Sequence, residues 1–354
     1  MGFYLKKMNT SLNTQLDLTT NAQVPRSVGA ILLPWLVLLG FALVPVFDQW
    51  WGLDYYVGFI SRLLIMMIAA SSLNFILGYG GMVALGHASF MGVGAYALVA
   101  WVDAGHDSAW LAWALSVGGA ACLSFLIGLV ALRTRGVYFI MITLAFAEML
   151  YYFAVSLSTY GGDDGYSIFF PLTLGAWLDS WQYGFYAVVL AFAALLYFLN
   201  SRIEQSRFGF ALKGARDNES RMQALGYPVF RTRLLAFVGA GAIAGLAGGL
   251  LAFQDGFVSP SSMRWTHSAV LIVMVVIGGM GHRWGGAIGA GIWLVLEEVL
   301  RMHTDYWHWP MGVLLLAVVF IAPQGVAGWF AQRVGVGRAE QSAQSGQSRQ
   351  STTQ

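Results

Sequence analysis

Composition, span length and the placement of charge make this chain an all-α integral membrane protein with about ten transmembrane helices. Of its 354 residues, 58% are hydrophobic and only 10% charged, whereas soluble domains carry about 25% charged residues. Apolar runs long enough to cross a ~30 Å hydrocarbon core recur along the whole chain. With the N-terminus placed in the cytoplasm, sixteen of the nineteen Lys and Arg residues fall on the inner side, the bias that orients membrane proteins. Only Arg264 and Arg301 fall outside, and Arg62 lies near the outer end of its span, where it can snorkel. An even number of spans with both termini inside satisfies this count. The net charge of +2 gives no reason to invoke nucleic acid. The single cysteine, Cys122, excludes an intrachain disulfide and a cysteine-based metal site.

Residues 1–27 form a polar N-terminal tail with Lys6, Lys7 and Arg26. The apolar run 28–47 that follows is too long for the core of a signal peptide and has no small-residue cleavage site after it, so it reads as the first transmembrane helix. Further spans are predicted at about 58–77, 86–102, 110–132, 137–157, 181–200, 234–254, 267–281, 284–300 and 309–330. Residues 28–330 thus form one transmembrane domain, interrupted by a basic loop at 201–233. Residues 331–354, Gln- and Ser-rich from Glu340 onward, have too little apolar surface to fold and are expected to be a disordered cytoplasmic tail.

Glycine is used in two ways. Gly241, Gly245 and Gly249 recur every four residues on one helix face, as do Gly285 and Gly289. Such small faces let helices approach closely where lipid supplies no hydrophobic drive for association. The clusters Gly78-Tyr79-Gly80-Gly81 to Gly86 and Gly278-Gly279-Met280-Gly281 to Gly286 instead read as breaks inside spans. Unwound backbone survives at membrane depth only against protein or a water-filled cavity, so paired breaks point to a translocation path. The breaks suggest an inverted repeat, although they fall at different ordinal spans of the two halves.

Between the sixth and seventh spans lies Ser206 to Phe237, the one long charged stretch. Phe208, Ala211, Leu212, Ala215, Met222 and Leu225 fall at helical spacing on one apolar stripe, with Arg207, Lys213, Arg216 and Arg221 mostly off it. Gly214 and the cap-prone Asp217-Asn218 predict two short helices with a break, the second ended by Gly226-Tyr227-Pro228. From pattern alone this is equally a basic loop whose helix lies on the lipid surface.

The wording of the loop carries a resemblance. Gly209, Ala215-Arg216-Asp217-Asn218-Glu219, Ala224 and Gly226, leading through a basic run into an apolar helix, resemble the cytoplasmic coupling segment of the branched-chain amino-acid ABC-importer permeases. Ser72-Leu73-Asn74 through Gly78-Tyr79-Gly80-Gly81, and Leu85-Gly86-His87-Ala88-Ser89-Phe90 to Gly94-Ala95-Tyr96, resemble that family's membrane motif. Weaker matches follow at Arg135 to Phe139, Thr143 to Phe146, Gly161 to Gly165 and Val276 to Gly281. The resemblance implies a bacterial inner-membrane subunit working with a second homologous permease, two ATPase subunits on the coupling segment and a periplasmic binding protein. It also implies that ATP and Mg are bound by the ATPase chains and none by this one. Its substrates would be branched-chain amino acids or related small solutes such as urea, amides or other amino acids. The coupling residues would be Gly209, Ala215, Arg216, Asp217, Asn218, Glu219 and Gly226. Arg216 and Glu219, three apart on a solvated helix, are expected to present opposite charges to a partner groove.

The remaining chemistry agrees with a non-enzymatic subunit. No lysine follows a glycine, so a phosphate-binding P-loop is excluded. His303, Asp305 and His308 cluster in a short outer loop, for which solvation is sufficient explanation. Glu297 and Glu298 near the end of a span have Arg301 one turn away as an ion-pair partner. Residues assigned to the path are Asn74, Gly80, Gly81, His87, Ser89, Glu148, Gly278 and Gly279. Glu148, mid-span, is expected to face protein or water because a charged residue there costs about 2.5–3.5 kcal/mol. It is a carboxyl hydrogen-bonded to a neighbouring helix, a substrate contact, or a proton relay, the last being the proton site of a stand-alone secondary transporter, the rival reading. Asn74, His87 and Ser89 either line a cavity or satisfy backbone freed at the first break.

Overall fold

A computed structural model describes residues 39–45, 48, 54–168, 172–321 and 325–328. Two compact units divide the chain, 1–52 and 53–354. In the first, residues 39–45 are helical. The expected N-terminal tail, most of the first span and the C-terminal tail lie outside the described residues.

The second unit is built of helices α1 (Asp54–Asn74), α2 (His87–Asp103), α3 (Ala109–Ala131), α4 (Val137–Ser156), the single turn α5 (Ala176–Asp179), α6 (Gly184–Glu204), α7 (Arg207–Asp217), α8 (Glu219–Ala224), α9 (Val229–Asp255), α10 (Trp265–Gly278), α11 (Gly285–His303) and α12 (His308–Ile321). A π-helical turn, Phe75–Tyr79, extends α1. Five helices, Tyr55–Tyr79, α3, α4, α6 and α9, are long and apolar enough to cross a membrane. With the shorter apolar helices they make this a multi-pass all-α membrane protein. One β feature was not expected: Tyr166–Ser167 (β1) pairs antiparallel with Phe257–Val258 (β2), clipping the α4–α5 connection to the end of α9.

Helix α9 forms the centre, packed along α2, α3 and α1. Its glycines act at these contacts. A methyl on Gly245 would lie 2.3 Å from Ala120 Cβ of α3, and one on Gly248 would lie 1.9 Å from the Met91 carbonyl oxygen of α2. On the other side, α10, α11 and α1 pack together, with Gly286 against the Ala70 carbonyl and Gly289 against that of Met274. By contrast, α3, α4 and α6 bury only a third or less of their most apolar stretch within the chain. Leu126, Val130, Tyr138, Met141 and Phe153 are accordingly exposed, as lipid-facing positions are.

Fourteen residues in α10 rise only ~21 Å, less than a ~30 Å hydrocarbon core. The unwound stretch Gly279 to Trp284 follows α10, and the non-helical Gly80 to Gly86 separates the π-helical turn from α2. Gly81 (φ +66°), Gly279 (φ +110°) and Gly281 (φ +76°) hold conformations that side chains disfavour.

Candidate functional site

The two breaks, far apart in sequence, lie against one another. A Cβ on Gly78 would meet the Gly281 backbone at 2.3 Å. The Asn74 side chain ties them: its Nδ2 donates to the His282 carbonyl at 2.9 Å and its Oδ1 accepts from Gly281 N–H at 3.1 Å. Asn74 therefore satisfies freed backbone of the second break, and not of the first break that it flanks. Gly279 also receives the chain after α12, where a Cβ on Gly325 would lie 2.3 Å away.

The basic segment docks on this junction. Ser206 caps α7, its Oγ accepting from Gly209 N–H at 3.3 Å, and Asn218 caps α8, its Oδ1 accepting from Arg221 N–H at 2.9 Å. The break between the helices falls at Asn218 and not at Gly214. Gly214 sits inside α7, where a Cβ would meet Met222 Sδ at 2.7 Å as α8 folds back. Ala211, Ala215, Met222 and Val229 form one buried cluster. Leu225, placed by periodicity on the same stripe, is 65% exposed, because the turn at Asn218 changes the helix direction.

Arg216 lies across the first break. Its stem packs 2.7 Å from where a Gly81 Cβ would be, and its guanidinium donates to the Gly78 carbonyl and, through Nε, to Asp217 at 3.1 Å. A cation there meets the unsatisfied carbonyl end of α1. Glu219 is bound by Arg135 from the α3–α4 link at 2.9 Å and Arg233 of α9 at 2.8 Å. Both residues thus have partners within the chain, although Arg216 and its neighbour Asp217 stay largely exposed. Glu219 is not the solvated charge expected, because side chains from α3–α4 and α9 converge on it. A further cross-link was missed: Glu204, ending α6, binds Lys213 of α7 at 3.0 Å and Arg283 of the second break at 2.8 Å. Each of these charges is visible in the sequence, but not their convergence.

His87 is fully buried, its Nε2 2.8 Å from Ser72 Oγ. Ser89 Oγ donates to the Met263 carbonyl at 3.1 Å, and Ser268 Oγ accepts from Ala88 N–H at 2.9 Å. These contacts anchor the start of α2 on α1 and α10. Gly80 packs on the Ile76 carbonyl. Gly278, with a Cβ position 1.7 Å from the Gly285 carbonyl oxygen, lets α10 and α11 touch.

A cavity of about 600 Å³ opens on the far side of the breaks, among α1, α2, α9, α10, α11 and α12. None of the sequence-assigned path residues lines it. Its polar lining includes Arg62, Asp255, His267 and Glu297, and its depth is apolar, with Met66, Met91 and Met274. Arg62 therefore faces this cavity. Glu297 does pair with Arg301, at 2.7 Å.

These features converge on a permease, and a family model described as "Branched-chain amino acid transport system / permease component" matches residues 55–322. The chain belongs to this family. The permease is 29% identical over 288 residues to "High-affinity branched-chain amino acid transport system permease protein LivM" of Salmonella typhimurium, covering 74% of this chain and 68% of that one. The Escherichia coli protein of the same name matches to the same extent. A "Probable branched-chain amino acid transport permease protein LivH" of Methanocaldococcus jannaschii is 29% identical over 150 residues, 40% of this chain and 46% of its own. No solved structure matches. The matched span contains the basic segment, both breaks and the cavity lining.

Among the described residues of the permease no cluster of three or more potential ligands could hold a metal ion. His303 Nδ1 lies 2.8 Å from the Val299 carbonyl and His308 stacks on Trp307.

Glu148 has a buried Oε1 with no hydrogen-bond partner among the described residues. The neighbouring-helix partner expected for a structural carboxyl is not found there. If Glu148 is nonetheless structural, Glu148→Gln is expected to lower transport by less than about tenfold, because a neutral hydrogen-bonding group remains. Uptake measured at equal amounts of assembled complex checks this, and a total loss would give the carboxyl a functional role.

Proposed function

We propose that this chain is the membrane-spanning subunit of a binding-protein-dependent ABC importer for branched-chain amino acids or related small solutes. ATPase subunits dock on the segment 206–226 and supply ATP and Mg binding, a second homologous permease completes the membrane domain, and a binding protein delivers solute from the periplasm. That permeases named LivM and LivH both resemble this chain supports a homologous partner. The inward face is that of the basic segment, with both termini in the cytoplasm of a bacterial inner membrane and ten spans in all. The apposition of the two breaks supports an inverted repeat relating the halves of the domain.

The observation that carries this reading is the position of Arg216. It belongs to the segment assigned to the ATPases, yet its guanidinium holds the Gly78 carbonyl at the junction of both breaks. Met274 of the cavity floor lies one helical turn before Gly278, ~6 Å along the axis. A push on α7 therefore reaches the floor of the cavity through packed backbone, which has two discrete arrangements open to it if the breaks slide.

Reconstitution with the ATPases and binding protein tests this. Uptake should require ATP and persist when the proton gradient is collapsed. Uptake that survives ATP depletion but follows the proton gradient would establish the secondary-transporter reading instead.

A further inference from the structure

The large cavity is open at one end and shut at the other. Its lining residues Arg62, Asp255 and His267 are exposed. Asp255 ends α9, and the start of that helix, Val229 in the buried cluster with α7 and α8, lies ~39 Å back along the axis. Towards the basic segment, Met274 on the cavity floor is buried, as are Gly78 and Gly278. The two breaks pass so close that a Cβ on Gly78 would stand 2.3 Å from Gly281 N, and no solute fits between them. A solute leaving the cavity on the side of the basic segment must part the breaks.

Glu204, the last residue of α6, is placed to oppose that movement. Its two carboxylate oxygens are divided between two elements: Oε1 accepts from Lys213 Nζ of α7 at 3.0 Å, and Oε2 from Arg283 Nε in the second break at 2.8 Å. Arg283 follows His282, whose carbonyl Asn74 holds, and precedes Trp284, which stacks on Tyr197 of α6 with ring centroids 4.1 Å apart. Tyr197 lies about two turns before Glu204, so the end of α6 grips the unwound stretch twice. Lys213 also stands over the ring of Tyr79, beside the first break, 4.6 Å from its centroid. One carboxylate thus joins α6, α7 and the second break, with the first break one ring away.

Exposure decides how much such a link is worth. Ion pairs between exposed side chains contribute little, and Arg216 with Asp217, 42% and 67% exposed, is of that kind. Glu204 is only 18% exposed and Arg283 29%. Withdrawn this far from water a charge-assisted bond is stronger, and removing one partner leaves the other unpaired.

We propose that Glu204 is the clasp of the inner gate, a positioning residue that keeps the breaks together while the cavity is open at its rim and must release Arg283 before solute can leave. Lys213 rides on α7, so a displacement of α7 draws on the carboxylate holding the second break while Arg216 draws on the first. The direction of the gate and the source of that displacement rest on the importer reading.

The test uses the assembled transporter carrying Val270→Cys, on the cavity wall, in a Cys122→Ala background, in right-side-out and inside-out vesicles. With Glu204 and Arg283 in place, a membrane-impermeant maleimide should reach the thiol from the outer face and only slowly from the inner one. Glu204→Gln and Arg283→Gln should each raise the inner-face rate by about tenfold, the low end of what losing a hydrogen bond to a charged group is worth. The outer-face rate should stay constant or fall. The double variant should go no further than either single one, because both remove the same link. Glu204→Asp, which keeps the charge, should retain part of the protection. A thiol reached from neither face, or faster from the inner face before any change at 204 or 283, would overturn the gate. Unshifted rates in the variants, equal rises on both faces as from a loosened fold, or additive effects would overturn the clasp. The two readings fail separately. ATP-driven uptake with unshifted labelling refutes the clasp alone, and a one-sided shift in a protein whose uptake needs no ATP refutes the importer reading alone.

Discussion

Gly248→Ala is expected to destabilise the permease by about 1–3 kcal/mol, the usual penalty for inserting a carbon into packed structure. The added Cβ would stand 1.9 Å from the Met91 carbonyl oxygen. That atom is backbone in the middle of α2, so no rotamer change relieves the clash and α2 as a whole must move. Because Met91 and Gly92 also line the cavity, uptake should fall along with stability. Gly239→Ala is the matched control. It lies on the same helix with nothing within 4 Å of its Cβ position, and should be neutral or gain up to about 1 kcal/mol of helix propensity. Thermal unfolding of the detergent-solubilised complex distinguishes them, and equal shifts for both variants would show that α9 and α2 do not pack through Gly248.

Arg216→Met should separate ATP hydrolysis from uptake. Methionine keeps an aliphatic stem over Gly81 and removes the guanidinium that binds the Gly78 carbonyl. Hydrogen bonds to charged groups are worth about 1.5–3 kcal/mol, so losing this link in one transport state should lower uptake about tenfold or more. The ATPases should still co-purify and hydrolyse ATP, because α7 and α8 retain the buried cluster of Ala211, Ala215, Met222 and Val229 and the Glu219 bonds to Arg135 and Arg233. Arg216→Lys should be intermediate, a point charge lacking the planar fork. A loss of uptake that merely parallels loss of bound ATPase would assign Arg216 to docking and not to transmission.

The same two residues show where sequence reasoning stopped. Local rules placed Arg216 and Glu219 on a solvated helix, and the capping residues Ser206 and Asn218 are legible one by one. The Arg135 partner of Glu219 and the Gly78 partner of Arg216 are 84 and 138 residues away in sequence, and no local pattern contains such a distance. Leu225 shows the complementary failure, for helical periodicity runs on through Asn218 whereas the chain does not.

The class is written in the sequence: hydrophobic composition, span lengths, charge asymmetry and the motif wording are enough to give a multi-pass permease. These are properties of the solvent each residue must face, and they are written residue by residue. Only the tertiary structure decided that the two glycine breaks are one junction, that Asn74 and Arg216 bind it, and that Arg62 and Asp255 share a cavity. Those facts depend on which helices lie side by side. In lipid the choice of neighbours comes from close packing at glycine and from a few polar bonds, not from an apolar stripe that can be read along the chain.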